Sequence, residues 1–211
     1  MVPPPLELPS PTLCLVTDTQ RFPQRDLAET VSRAIEGGVN MLILREKTLP
    51  DAELLALAKP LREATAKRAL LLISERPSVA AACAADGVHW GEAASATASP
   101  LLTGRSVHSR DAAKGAQAAG AHYLLVGTVF ATDSKPGKKP EGLGALESIR
   151  KSVTIPCLAI GGIEERNVLR VMLTGVRGVA VVSAILGAAD PRAAAANLRH
   201  ALERALWEPA L

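Results

Sequence analysis

Aromatic side chains are scarce in this chain: two Phe, two Trp and one Tyr make up 2% of its 211 residues, against 48% hydrophobic residues in all. A core of any size must therefore be built from Ala, Val, Leu and Ile, which suits the buried aliphatic strands of a β/α architecture. Cysteine is sparse too. Cys14, Cys83 and Cys157 form no C-x-x-C pair and leave an odd count, so no disulfide framework is readable and a reducing, cytoplasmic setting is expected. An excess of charge of one sign is also missing. Lys and Arg number 24 and Asp and Glu 21, and the basic residues are dispersed apart from Lys135, Lys138 and Lys139. That pattern argues against a nucleic-acid partner. No apolar stretch is long enough to span a bilayer, so no membrane partner is expected. The opening Met1-Val2-Pro3-Pro4-Pro5 has neither the basic region nor the apolar segment of a signal peptide. Its prolines, continuing to Pro9 and Pro11, read as an extended, poorly ordered lead over residues 1–11.

The length suits one domain, read as residues 12–207. Within it, short aliphatic runs alternate with helical segments. Candidate strands are Leu13–Thr17, Met41–Leu44, Leu70–Ser74, Gly87–His89, Arg105–Val107, Tyr123–Gly127, Cys157–Ile160 and Gly178–Val182. Segments such as Asp26–Glu36 and Asp51–Ala66 carry Ala, Leu, Glu, Arg and Lys at helical spacing. Gly37-Gly38, Gly120 and Gly175 fall where helices should stop. This alternation implies right-handed β-α-β units and a parallel sheet. An open doubly wound sheet would show a glycine-rich turn after its first strand. Here that strand runs into Asp18-Thr19-Gln20-Arg21, with no glycine. The expected fold is a single closed (β/α)8 TIM barrel.

In such a barrel the site lies at the C-terminal strand ends, and the last two strands commonly cradle a phosphate. Ala159-Ile160-Gly161-Gly162-Ile163 and Gly178-Val179-Ala180-Val181-Val182-Ser183 both end in small residues where a helix should begin. Bare backbone there lets an anion approach the amides of Gly161, Gly162, Val182 and Ser183. The second strand runs into Arg45-Glu46-Lys47. Arg45 offers a fork and Lys47 a point charge for a second anionic group, the plainer reading being a solvated charged loop. His108 ends the fifth strand, facing the mouth, where a group titrating near neutral pH is useful as acid or base. A hydrogen-bonded structural histidine is its plainer reading, and His89 ends the fourth strand in a similar way. The long loop from Phe130 to Gly142 holds Thr132, Ser134 and Lys135. It reads either as a lid over a phosphate or carboxylate or as a plain basic loop.

These pieces, in this order, resemble the thiamin phosphate synthase/thiazole tautomerase family of small (β/α)8 barrels. The resemblance runs from Leu13 to about Leu206. It rests on Leu15-Val16-Thr17-Asp18, Leu44-Arg45-Glu46-Lys47, Ala85-Asp86-Gly87-Val88-His89, Gly104-Arg105-Ser106-Val107-His108-Ser109, Gly127-Thr128-Val129-Phe130-Ala131-Thr132-Asp133-Ser134-Lys135 and the two phosphate turns. In the synthase branch, which joins a thiazole phosphate to an aminopyrimidine pyrophosphate with magnesium, the resemblance implies Asn-Asp after the third strand. It also implies Gly-Gln-x-Asp after the fourth and a Gln on the second. This chain has Ser74-Glu75, Gly91-Glu92-Ala93-Ala94 and Ile43 at those places. The thiazole-phosphate half is kept. The resemblance therefore implies the tautomerase branch: a metal-independent isomerase, needing no cofactor, that aromatises a carboxythiazole phosphate. His108 would shuttle the proton, and Arg45 or Lys135 would meet the carboxylate. The alternative is a synthase holding magnesium on Glu75 and Glu92, and a third reading is a non-catalytic barrel that binds a phosphorylated metabolite. Small barrels of this sort often pair, so self-association stays open.

Overall fold

The computed structural model describes residues 7–95, 100–132, 137 and 139–207. Its strands are β1 (Thr12–Val16), β2 (Met41–Leu44), β3 (Leu70–Ser74), β4 (Gly87–Trp90), β5 (Leu102–Val107), β6 (Tyr123–Val126), β7 (Cys157–Ile160) and β8 (Gly178–Val181). They pair in sequence order, all parallel, and β8 returns to β1 to close the barrel. Helices α1 (Leu27–Glu36), α2 (Asp51–Thr65), α3 (Pro77–Ala82), α4 (Arg110–Ala118), α5 (Gly142–Lys151), α6 (Glu165–Met172), α7 (Ser183–Leu186) and α8 (Pro191–Trp207) follow the strands. Among the described residues, no helix lies between β4 and β5. The expected TIM barrel is the observed one.

The period-2 alternation of each strand builds two cores. Cys14, Val16, Met41, Ile43, Leu72, Tyr123, Leu125, Leu158 and Ala180 fill the barrel interior. The alternate positions, among them Leu13, Leu15, Leu42, Leu71, Val88, Leu124 and Val179, pack outward beneath the helices. Helix starts follow local chemistry. The side chains of Asp26 and Ser109 accept the N–H groups of Glu29 and Ala112, at 3.0 and 3.1 Å. Each relieves one orphan donor at a helix start.

The ends of β1, β4, β6 and β8 fall one residue from the sequence reading, and two boundaries differ by more. β5 begins at Leu102 rather than Arg105, because Gly104 is a strand residue whose missing side chain makes room for the Tyr123 ring. Among the described residues, packing already includes Leu8, buried in the interior core ahead of the expected start at residue 12. Asn40 and Arg199 hold the carbonyl of Pro11 at 2.9 and 3.0 Å, tying this part of the proline-rich segment to the barrel base. Residues 1–6 lie outside the described ones. All three cysteines are buried and free, and no helix among the described residues is long and apolar enough to cross a membrane.

Candidate active site

The C-terminal strand ends open onto two adjoining cavities. The smaller, about 280 Å³, is lined by Asp18, Arg45, Lys47, Glu75, Glu92 and His108, over a floor that includes Ile43, His89 and Ser106. The larger, about 960 Å³, lies along the β7 and β8 ends and is lined by Thr132, Gly161, Gly162, Val182 and Ser183. Ile160 and Val182 line both. The structure thus divides the expected residues into two sets. Arg45, Lys47 and His108 fall on one side, and the phosphate turns with Thr132 on the other. Ser134 and Lys135 lie outside the described residues.

Arg45 and Lys47 owe their places to the residue between them. Glu46 is buried and accepts the hydroxyls of Thr17 and Thr19, each at 2.6 Å, and the Thr19 N–H at 3.1 Å. Thr17 Oγ1 in turn accepts the Arg45 N–H at 2.9 Å. These charge-assisted bonds lock the strand end to its neighbour. The flanking cations therefore project from a fixed backbone, Arg45 half-buried and Lys47 exposed.

At the phosphate turns, Gly161 and Gly162 have φ of +106° and +63°, a region a side chain rarely enters. A Cβ at either place would also press on backbone, of Thr128 or of Phe130 and Ala131. Asn167 fixes this turn, donating to the Gly162 carbonyl at 2.8 Å while its own side-chain oxygen accepts the Glu164 N–H at 2.9 Å. Arg21, from the loop after β1, donates to Ser183 Oγ at 3.1 Å. It brings a cation to the second turn.

His108 sits just beyond β5 with 29% of its side chain exposed, its Nδ1 3.1 Å from Glu141 Oε1. The ring is not turned to align a hydrogen bond there, so Nδ1 is buried without one. Its main-chain N–H donates to Glu92 Oε1 at 3.2 Å. Glu75 holds a left-handed backbone, φ +57°. Its carboxylate accepts the Gly91 N–H at 3.0 Å. His89 takes the structural role that is its plainer reading. It is 4% exposed, with Nδ1 2.9 Å from the Tyr123 hydroxyl and Nε2 2.9 Å from Ser106 Oγ. Burial first, then the charges of Arg45 and Arg105, lower its pKa to about 3, so it is a neutral polar strut.

The structure adds Asp18, Arg21, Glu141 and Asn167 to the residues singled out from sequence. Asp18 is legible as a polar residue directly after a strand. Asn167 is local, the third residue of α6 in a capping box with Glu164, whereas Arg21 and Glu141 act across loops whose paths no local pattern encodes.

A family model described as "Thiamine monophosphate synthase" matches residues 13–185. The chain belongs to the thiamine monophosphate synthase family. The thiamine-phosphate synthase of Pyrococcus furiosus is 40% identical over 201 residues, covering 92% of this chain and 96% of that one. That of Moorella thermoacetica is 39% identical over 207 residues, covering 94% and 99%. A solved thiamine phosphate pyrophosphorylase from Pyrococcus furiosus superposes with a TM-score of 0.85 at 38% identity, over 93% of this chain and 97% of that one. A 3-hexulose-6-phosphate synthase at 22% identity and TM-score 0.69 shares the fold. Membership of a thiamin-biosynthesis family is thereby shown. The relatives carry the synthase name, which backs the alternative of the sequence reading over its isomerase branch.

Proposed function

We propose that this family member is a thiamin phosphate synthase, coupling a thiazole phosphate to an aminopyrimidine pyrophosphate with release of pyrophosphate. The observation that carries this reading is the divided mouth: two adjoining cavities, each with its own equipment for an anion. Coupling two phosphorylated reactants requires holding both face to face, and such positioning is a large part of catalysis. The turns at Gly161, Gly162, Val182 and Ser183 take the thiazole phosphate, with Thr132 and Arg21 beside them. Ser134 and Lys135 of the same loop are assigned to that half by resemblance. Arg45 and Lys47 clamp the pyrophosphate and take up the charge that grows on it as its bond to carbon breaks.

Magnesium binds through one or two carboxylates together with substrate phosphates. Among the described residues, no cluster of three or more His, Cys, Asp or Glu forms a self-contained metal site. The donor set nevertheless fits this looser mode. Glu75 and Glu92 line the cavity, each braced by a backbone N–H on one oxygen. These two residues would hold the cation, which when bound offsets the negative charge of the pyrophosphate.

A metal-independent thiazole tautomerase is the second reading. It is favoured by Ile43 and Ala94, which stand where the resemblance implies an amide and a carboxylate, and by the pairing of His108 with Glu141. Incubation with both synthase substrates, with magnesium and with chelator, separates the readings. Magnesium-dependent thiamin phosphate at enzymatic rate is the expected result. No coupling, with conversion of the carboxythiazole phosphate to its aromatic isomer, would replace it with the tautomerase. Phosphate binding without either reaction would leave a non-catalytic barrel.

A further inference from the structure

We propose that Glu141 is the positioning residue of His108, holding the ring's proton on Nδ1 so that Nε2 carries the lone pair offered to the cavity. The placement of Glu141 is built into the fold. Where the chain returns from the loop after β6, the Glu141 N–H donates to the Thr128 carbonyl at 2.8 Å and the Gly142 N–H to that of Val129 at 3.1 Å. This double attachment fastens the start of α5 to the extension of β6, and it carries the Glu141 carboxylate across to the end of β5. There Oε1 stands 3.1 Å from His108 Nδ1, with 21% of the Glu141 side chain exposed. Glu92 in turn holds the His108 main chain, accepting its N–H at 3.2 Å. One carboxylate thus fixes the backbone of His108 and another addresses its ring.

A neutral imidazole has one donor and one acceptor nitrogen, and a partner on one nitrogen decides the tautomer. An ionised carboxylate accepts only, so it selects Nδ1–H. Nδ1 is buried without an aligned hydrogen bond, and a small turn of the ring supplies one. Catalytic hydrogen bonds commonly tighten in this way once a ligand is bound. The consequence for turnover rests on the second reading above; the tautomer does not. In that reaction Nε2 takes a proton from one ring atom of the carboxythiazole, and the electron pair of the broken bond stays in the ring. The same proton then returns from Nε2 to a different ring atom. Nδ1 keeps its proton throughout, and the Glu141 carboxylate stands beside the transient imidazolium.

The test is 15N spectroscopy of histidine-labelled protein near pH 8.5, with the His108 signals assigned by their loss in His108→Asn. The expected result is the Nδ1–H tautomer in the parent, and its loss both in Glu141→Gln, whose amide can donate to the ring as well as accept, and in Glu141→Ala. Backbone amide spectra check that each variant folds. Isomerase kinetics run beside it: Glu141→Ala and Glu141→Gln should each lower kcat on the order of 100-fold with KM nearly unchanged. An Nε2–H tautomer in the parent, or an unchanged tautomer in Glu141→Ala, overturns the proposal. The expected tautomers in a protein without isomerase turnover uphold it and remove the second reading instead.

Discussion

At the scale of single residues, His89 shows how a polar group in a barrel interior is made tolerable. Both ring nitrogens have a partner, Tyr123 on one side and Ser106 on the other, so burial leaves no orphan. Protonation would place a charge in a buried site close to the charges of Arg45 and Arg105. That is why its pKa falls from the ordinary 6.5 to about 3. The sign of the consequence follows from linkage. Below about pH 6.5 the unfolded chain binds a proton at His89 that the folded chain refuses, so stability drains away as pH falls toward 3. Each unit costs about 1.4 kcal/mol. Urea unfolding of the parent and of His89→Gln at pH 7 and pH 4.5 should therefore show the parent losing on the order of 3 kcal/mol more across that interval. Parallel losses in the two proteins would mean that His89 protonates freely in the fold.

Among the elements, β5 and β6 meet at a closely packed glycine–tyrosine pair. Gly104 pairs with Tyr123 across the two strands, and a Cβ at Gly104 would overlap the tyrosine ring. Gly104→Ala must displace Tyr123 and with it the partner of His89. Overpacking of this kind costs about 1–3 kcal/mol. The expected outcome is a lower urea midpoint with an unchanged m-value, and an unaltered midpoint would show that the ring has room to move. This pair also marks the limit of what the sequence makes readable. Most strand positions are legible, because parallel strands buried on both faces appear as aliphatic runs bounded by glycine or polar residues. β2 at Met41–Leu44 and β7 at Cys157–Ile160 fall where they are expected, to the residue. The glycine inside β5 reads from sequence as a loop residue, since its reason for being there is a tyrosine nearly twenty positions away. The phosphate turns are legible for the opposite reason: the need for bare backbone is local. The partners of His108 are not, because Glu141 reaches it only through the path of a long loop.

For the molecule as a whole, the two cavities couple to folding through mass action. A ligand that binds only the folded barrel stabilises it by about 2.7 kcal/mol at 100 times its Kd. For a domain of this size that raises Tm by roughly 5–10 °C. If the cavities hold separate anions, thiazole phosphate and magnesium pyrophosphate should each raise Tm, and saturating both should give nearly the sum. Variants should then separate the two responses, each measured against its own unliganded baseline. Arg45→Gln removes a cation from the smaller cavity and should abolish the pyrophosphate shift while sparing that of thiazole phosphate. Gly162→Ala places a side chain at φ +63° against Ala131 and Phe130, and should do the reverse. Competition between the two ligands, or loss of both responses in one variant, would reduce the mouth to a single anion site. A coupling reaction would then have nowhere to hold its second substrate, which leaves the isomerase and the non-catalytic barrel.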